Sequence, residues 1–374
     1  MLPPLISLLR LLTEMGEKVT YVGLIESDET SRILQDVGVQ FRLYPYRQVR
    51  FRQAPFVRLW QKVTEWIRPY LKRQWLWKML YRFNLDMGRD IIWSVEMEGA
   101  AILGDAALRL GRRHIHTFYE LGDKVGSNYL GFTMQLFLHS ATIVECEYNR
   151  AHIFKVEMGL ERLPFVLPNK PHLHPRMRNL RISDETARKV VDTWGDRRVI
   201  LYQGGVQSDR GALALLIESL CRAFPSAIIA VMGRKTPIVD RLLATYSNFS
   251  YVPFVSPPHH LEVTSHADVG LAFYEGGSVY GLSPLNPVYC APNKIYEYAG
   301  FGIPLLCNDI PGLYYSVGIS GAGECLSRFD VEAVKDSCKR IFDDYESYQA
   351  RAVSFFEAVD LKQRVTDVLQ ASRL

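Results

Sequence analysis

Residues 291–306 read APNKIYEYAGFGIPLL. Lys294 and Glu297 stand one helical turn apart, on the same face, ahead of Gly302, Pro304 and an apolar run. Pro292 precedes the first turn, and Asn293 can cap it. The glycine and the proline stop the helix so that IPLLC can enter a sheet. A core helix needs neither charge, and a solvated helix rarely ends against a buried strand. The pair therefore asks for a purpose. A carboxylate at 297 can accept from two vicinal hydroxyls, such as those of a ribose, while a lysine holds a phosphate. A nucleoside diphosphate presents both groups. The plainer reading is an i,i+3 salt bridge.

This helix-to-strand step continues a long alternation. Before it come RVILYQG, a helix from Gly211 to Phe224, AIIAVMG, a helix near Asp240, FSYVPFV, a short helix and ADVGLAFYE. The first half has the same rhythm: LISLLRLLTEM, VTYVGLI, SRILQDV, VQFRLYP, then DIIWSV, AAILGDAALRLG, RHIHTFYEL and ATIVEC. Strands alternating with helices predict parallel sheets covered on both faces. PNKPHLHPRMRNL (168–180) has three prolines and no periodicity, the mark of a linker. The expected plan is an α/β protein of two Rossmann-like, doubly wound domains facing across a cleft. Residues 1–167 form the first domain and 181–345 the second, with helices at 346–374 that cross back to the first. The first half opens on a helix where a wound sheet normally opens on its central strand. Either that strand is missing or another segment fills its slot.

Composition sets the bounds. With 374 residues, 48% hydrophobic and 22% charged, the chain is an ordinary globular protein large enough for two cores. A net charge of +4 does not argue for nucleic acid. Six cysteines without a C-x-x-C spacing point to reduced thiols rather than a disulfide frame or a zinc site. No apolar run approaches the roughly 20 residues of a spanning helix. The start, MLPPLISLLRLLTEMG, lacks the basic flank and cleavage site of a signal peptide. A cytoplasmic location is expected.

In such sheets ligands bind outside the carboxyl ends of the strands, so the loops after strands carry the argument. In LYQGGVQSDRGALALL, Gly204 and Gly205 let the backbone approach a ligand. Arg210 and Gly211 then open a helix whose free N–H groups suit an anion. AIIAVMGRKTPIVD repeats the device with Gly233, Arg234, Lys235 and Pro237 at a first helical position. Ordinary strand-to-helix turns with solvated cations remain the plain alternative. Neither turn matches G-x-G-x-x-G or G-x-x-x-x-G-K-[ST], which disfavours nicotinamide and P-loop readings. The loop after Val255 is a candidate for holding a nucleobase.

Taken together, these residues resemble the C-terminal domain of GT-B glycosyltransferases, in particular the family-four-like enzymes of bacterial polysaccharide assembly. The resemblance rests on Gly204, Gly205, Arg210 and Gly211, on Gly233, on Ala267–Asp268, and on P-N-K-x-x-E-Y ahead of G-x-P. It covers roughly 197–330. It implies that Glu297 is the second glutamate of the E-x7-E motif and contacts the ribose of a nucleotide sugar. The first glutamate of that motif falls at Tyr289 and is absent, which leaves inverting and retaining transfer both open. No D-x-D pair occurs, so Arg210, Lys235, Lys294 and helix N-termini are expected to neutralise the diphosphate without a metal. No other cofactor is expected.

The acceptor side is less explicit. HIHTFYELGD ends a strand and carries His116, Glu120 and Asp123. A general base near an acceptor hydroxyl is needed for inversion; Glu120 is the first candidate and Asp123 the second. Capping or solvated carboxylates are the alternative. Between Arg42 and Arg89 stand twelve lysines and arginines against Glu65 and Asp86. Trp60, Trp66, Trp75 and Trp77 lie among them, with Lys72 and Arg73. A basic, aromatic insertion over 42–89 suits an anionic membrane surface, where each cation contributes about 1 kcal/mol. A lipid-linked acceptor at the inner membrane face fits that. Single-stranded nucleic acid and tryptophans buried beneath a solvated basic face compete with it. A sugar-nucleotide epimerase of the same fold and a non-catalytic scaffold are the competing classes.

Overall fold

The computed structural model describes residues 3–23, 28–43, 74, 89–96, 111–121, 138, 141–206, 211–275 and 285–373. The chain divides into two compact units, residues 1–167 with 361–374, and residues 168–360.

In the second unit, continuous apolar runs form strands that are buried on both faces. VILYQ gives β7 (Val199–Gln203) and IIAVMG gives β8 (Ile228–Gly233), with every residue buried. They pair with β9 (Phe249–Pro253), β10 (Val269–Ala272), β11 (Leu305–Asn308) and β12 (Gly323–Leu326) in the order β12-β11-β10-β7-β8-β9. All neighbours are parallel. This is a doubly wound sheet, and its order reverses between β7 and β10. The crevice at that switch point, at the carboxyl ends of the strands, is where such sheets take ligands.

Helices cover both faces. In α5 (Ala212–Ala223), Leu213, Leu216, Ile217 and Leu220 form a helical stripe against one face, beside α9 (Val331–Asp343). On the other face, Ile295, Tyr298 and Ala299 of α8 (Asn293–Gly300) enter the second core layer. There Tyr296 stacks on Phe355 of α10 (Tyr345–Glu357) at 5.0 Å. Gly302, at φ 67°, then turns the chain into β11. The unit also holds the shorter helices α4 (Glu185–Val191), α6 (Pro237–Thr245) and α7 (His260–Thr264), and a single helical turn at Pro311–Leu313 that runs into a π-helical turn at Tyr314–Gly318.

Two boundaries differ from the sequence reading. The second unit runs to Asp360, past the expected end at 345, because α10 packs on α8; only α11 (Leu361–Arg373) joins the first unit. The 168–180 segment also belongs to the second unit and is tied to it by side chains. Asn169 donates to the Ala291 carbonyl at 2.7 Å and Lys170 to the Val359 carbonyl at 2.6 Å, and Arg178 donates to the Ser265 and Ala267 carbonyls.

The first unit holds a parallel four-stranded sheet of β3 (Ile92–Val95), β4 (His114–Phe118), β5 (Thr142–Glu145) and β6 (Phe165–Val166). A separate parallel pair, β1 (Thr20–Gly23) with β2 (Gln40–Leu43), packs with α1 (Pro3–Glu14) and α2 (Asp28–Val37) around Leu9, Leu34, Val37 and Val39. After β5 comes α3 (Tyr148–Met158), capped by the Glu147 side chain on the Arg150 N–H. All six cysteines are free thiols.

Candidate nucleotide site at the switch point of the second sheet

The carboxyl ends of β7 and β8 meet through their glycines. Gly204 sits at φ 147°, a conformation open essentially to glycine, and its N–H donates to the Met232 carbonyl at 2.9 Å. A Cβ on Gly233 would stand 2.3 Å from the Gly204 carbonyl oxygen. The two turns therefore fit together only as glycines. Gly205 follows, half-buried, and Arg210 lies outside the described residues.

Lys294 reaches into this junction from the first turn of α8. Its Nζ donates to the Gln203 carbonyl at 2.8 Å and sits over the rings of Tyr202 and Tyr274, 4.5 and 5.1 Å from their centroids. Burial works against its charge, but the Tyr202 and Tyr274 hydroxyls and Glu297 outweigh that and hold its pKa above the usual lysine value. The group is an ammonium with one donor committed to the Gln203 carbonyl and another to the Tyr274 hydroxyl, which leaves the third to offer. Asn293 is the first helical residue rather than the cap. Pro292 takes the cap position and offers no side-chain acceptor to the first amides of α8.

Glu297, 7% exposed, places Oε1 3.2 Å from Nε2 of His260 at the start of α7. His174, from the 168–180 segment, contacts the Glu297 carbonyl through Nε2 at 2.9 Å and lies edge-on to Phe301. Its pKa is lowered to about 4, chiefly by burial, so the ring is neutral and Nε2 donates. The carboxylate is thus aimed by one histidine and its helix held by another. Two oxygens give it acceptor capacity beyond the His260 contact.

The neighbouring helix starts are occupied differently. The first turn of α5 receives Glu275 from beyond β10, whose Oε1 accepts from the Leu213 N–H at 3.1 Å. A protein carboxylate thus takes up one of the amides expected to meet a phosphate. Thr236 makes no side-chain cap on α6; its hydroxyl donates to the Val206 carbonyl at 3.0 Å instead. Lys235, expected to face the diphosphate, pairs with Asp240 on the same helix at 2.8 Å, both more than half exposed. Exposed pairs of this kind exchange partners readily. Beyond β9, Val255 is buried, and the exposed group is its neighbour Phe254 at 63%. Phe254 lines an open depression of about 400 Å³ with Ser183, Asp184, Ser256 and His259.

The sequence pattern did not single out His174, His260 or Glu275. The glutamate at a strand end before Gly276 and Gly277 was a readable signal, and the paired His259–His260 was another. In the first unit, Glu120 is exposed just after β4, and Asp123 lies outside the described residues. His116 is not at the sheet edge. It is buried inside β4, where its Nδ1 lies 2.6 Å from Ser94 Oγ. Trp60, Trp66, Lys72, Arg73, Trp75 and Trp77 of the basic aromatic stretch also lie outside the described residues. Among the described residues no three His, Cys, Asp or Glu side chains gather as a metal-ligand set. No helix among them is long and apolar enough to cross a membrane.

No known protein family matches the chain by sequence, and no curated protein does. Solved structures do match it. Anabaena HepE in complex with UDP and glucose superposes with a TM-score of 0.62 at 13% identity, over 98% of this chain and 95% of that one. A glycosyltransferase from Rickettsia africae gives 0.61 at 11%, over 99% and 93%. MnaA of S. aureus, solved with UDP, gives 0.59 at 12%, over 98% and 93%. The chain has the GT-B fold, with two Rossmann-like units.

Proposed function

We propose that this protein is a glycosyltransferase that takes a sugar from a nucleoside diphosphate donor, most simply a UDP-sugar, and passes it to a lipid-linked or saccharide acceptor in cell-surface polysaccharide assembly. One observation carries the reading: at the switch point of the second sheet, two interlocked glycine turns, the starts of α6 and α8, the Lys294 ammonium and the Glu297 carboxylate meet. Glu297 accepts the ribose hydroxyls. The amides of α8, Lys294 and Arg210 hold the diphosphate and stabilise it as it leaves. Lys235 joins them after releasing Asp240. Phe254, rather than Val255, stacks on the base. Similar structures that contain UDP support the choice of nucleotide.

Neutralisation by protein cations and amides makes the transfer independent of a divalent ion. The basic aromatic stretch over 42–89 attaches the protein peripherally to the inner membrane face. Thermal shift against UDP-, GDP-, ADP- and dTDP-sugars tests the donor class. A rise in Tm with UDP-sugars alone is expected; no rise with any of them removes the reading.

A second reading has one observation in its favour. Glu275 on the α5 amide and Asp240 on Lys235 leave the site partly satisfied by the protein itself, as a non-catalytic partner of a true transferase would be. Such a scaffold would show no nucleotide-induced shift. A sugar-nucleotide epimerase would show the shift but would interconvert the donor without an acceptor.

A further inference from the structure

A second cluster of ionisable groups sits at the carboxyl edge of the sheet in the first unit, where wound sheets take ligands. Glu96 follows directly on β3 and holds φ 58°, a left-handed conformation uncommon outside glycine. Its Oε1 accepts from the Tyr119 N–H, at the end of β4, across 3.0 Å. Glu120 is the next residue along. From α3, Arg150 donates to the Tyr119 carbonyl at 2.8 Å and contacts Cys146 Sγ at 3.5 Å. At the end of β5, Glu145 is wholly buried, and neither of its carboxylate oxygens has a hydrogen-bond partner. The charges of Arg150 and Glu96 both act on it.

A buried carboxyl without a partner is costly unless a ligand or a proton satisfies it. Glu145 takes the proton: burial raises its pKa to about 8, against the pull of Arg150. Glu96 is only partly buried. Burial first, then the Glu120 charge, raise it to about 7, while the Tyr119 and Glu120 N–H groups and Arg150 hold it down. Cys146, pushed up by burial, is an un-ionised thiol here. Of the described groups at this edge, Glu96 combines a fixed direction, partial exposure and a balance between its two protonation states near neutrality. That combination is what a general base requires. Glu120, the sequence-based candidate, is exposed, and its backbone N–H also donates to the Glu96 carboxylate.

We propose that Glu96 is the catalytic base for the acceptor in the first unit. This rests on the glycosyltransferase reading above. As the acceptor oxygen attacks the anomeric carbon, its O–H bond breaks and the proton passes to Glu96. The new C–O bond forms while the bond from the anomeric carbon to the diphosphate breaks, and that electron pair leaves on the diphosphate oxygen. One proton and one glycosyl group move, and no redox partner is needed. Tyr119 and Arg150 are positioning residues, and Glu145 is a buried carboxyl kept neutral near them.

The test uses the full chain, with UDP-glucose, UDP-galactose, UDP-N-acetylglucosamine and UDP-glucuronate in turn and water standing in for the acceptor hydroxyl. UDP release is followed from pH 5 to 9 on the donor hydrolysed fastest. The wild-type rate should rise with pH through about 7. Glu96→Gln should lose that rise and roughly 10²-fold or more in rate, with UDP affinity and Tm unchanged. Glu96→Asp should recover part of the rate. Three results overturn the proposal: Glu96→Gln with the wild-type rate and profile, loss of the rise in Glu120→Gln instead, or UDP binding without release from any of the four donors. A wild-type chain that does not bind UDP removes the parent reading, and this one with it.

Discussion

Lys294 donates to the carbonyl of Gln203 across 2.8 Å, which ties the first turn of α8 to the end of β7. The residues are 91 positions apart, and their contact fixes the ammonium beside the Gly204 turn. The same group therefore holds the site together and supplies its charge. Lys294→Met should lower stability by about 1–3 kcal/mol, because the Gln203 carbonyl loses its partner. UDP affinity should fall by about 10- to 100-fold. Urea unfolding and calorimetry separate the two effects, and unchanged affinity in a destabilised protein would leave Lys294 a purely structural role.

Glu297 is aimed by His260 at 3.2 Å. If its free acceptor capacity serves a ribose, the wild-type protein should bind UDP about 10-fold more tightly than 2′-deoxy-UDP. In Glu297→Gln the two affinities should converge. A wild-type protein that does not distinguish the two ligands would refute the ribose contact.

Glu275 holds the Leu213 N–H at the start of α5, so it competes with a phosphate for that amide. Glu275→Gln should raise UDP affinity by a few-fold and cost about 0.3–1 kcal/mol of stability through the lost helix-start interaction. Weaker UDP binding in this variant would show that Glu275 assists the ligand instead.

Much of the second unit is legible in the sequence because its signals are local. Gln203 closes β7, Gly233 closes β8, and Pro237 starts α6 where residue type alone puts them. What sequence could not show are the partners. Lys294 on Gln203 and Glu275 on Leu213 join residues 91 and 62 positions apart, and no periodicity encodes such pairings. Asn293 looks like a cap, yet Pro292 takes that position because the proline's extended backbone already ends the loop. Glu96 carries no mark of its conformation, since a left-handed residue is usually betrayed by glycine or asparagine. The 168–180 segment looks like a free linker by its prolines. Asn169, Lys170, His174 and Arg178 nevertheless bind it to the second unit.

The first unit should have opposing responses to pH. Burial raises Glu145 to about 8, so the folded state favours its protonated form. That contribution is present below the ordinary carboxylate range and is lost as pH rises through about 8. Burial lowers His114 to about 4, so its neutral form favours folding above about 6.5, and the contribution is lost as pH falls toward 4. Glu145→Gln should therefore match the wild type near pH 5 and exceed it by about 3 kcal/mol at pH 9 in urea unfolding. Equal pH profiles for the two proteins would contradict the buried neutral carboxyl.

Calorimetric titration of the full chain with UDP, once with EDTA and once with magnesium, bears most directly on the donor site. The account predicts saturable, exothermic binding with the same affinity in both buffers, weakened in Lys294→Met and Glu297→Gln. No heat from the wild-type protein, or binding only when magnesium is present, would contradict it.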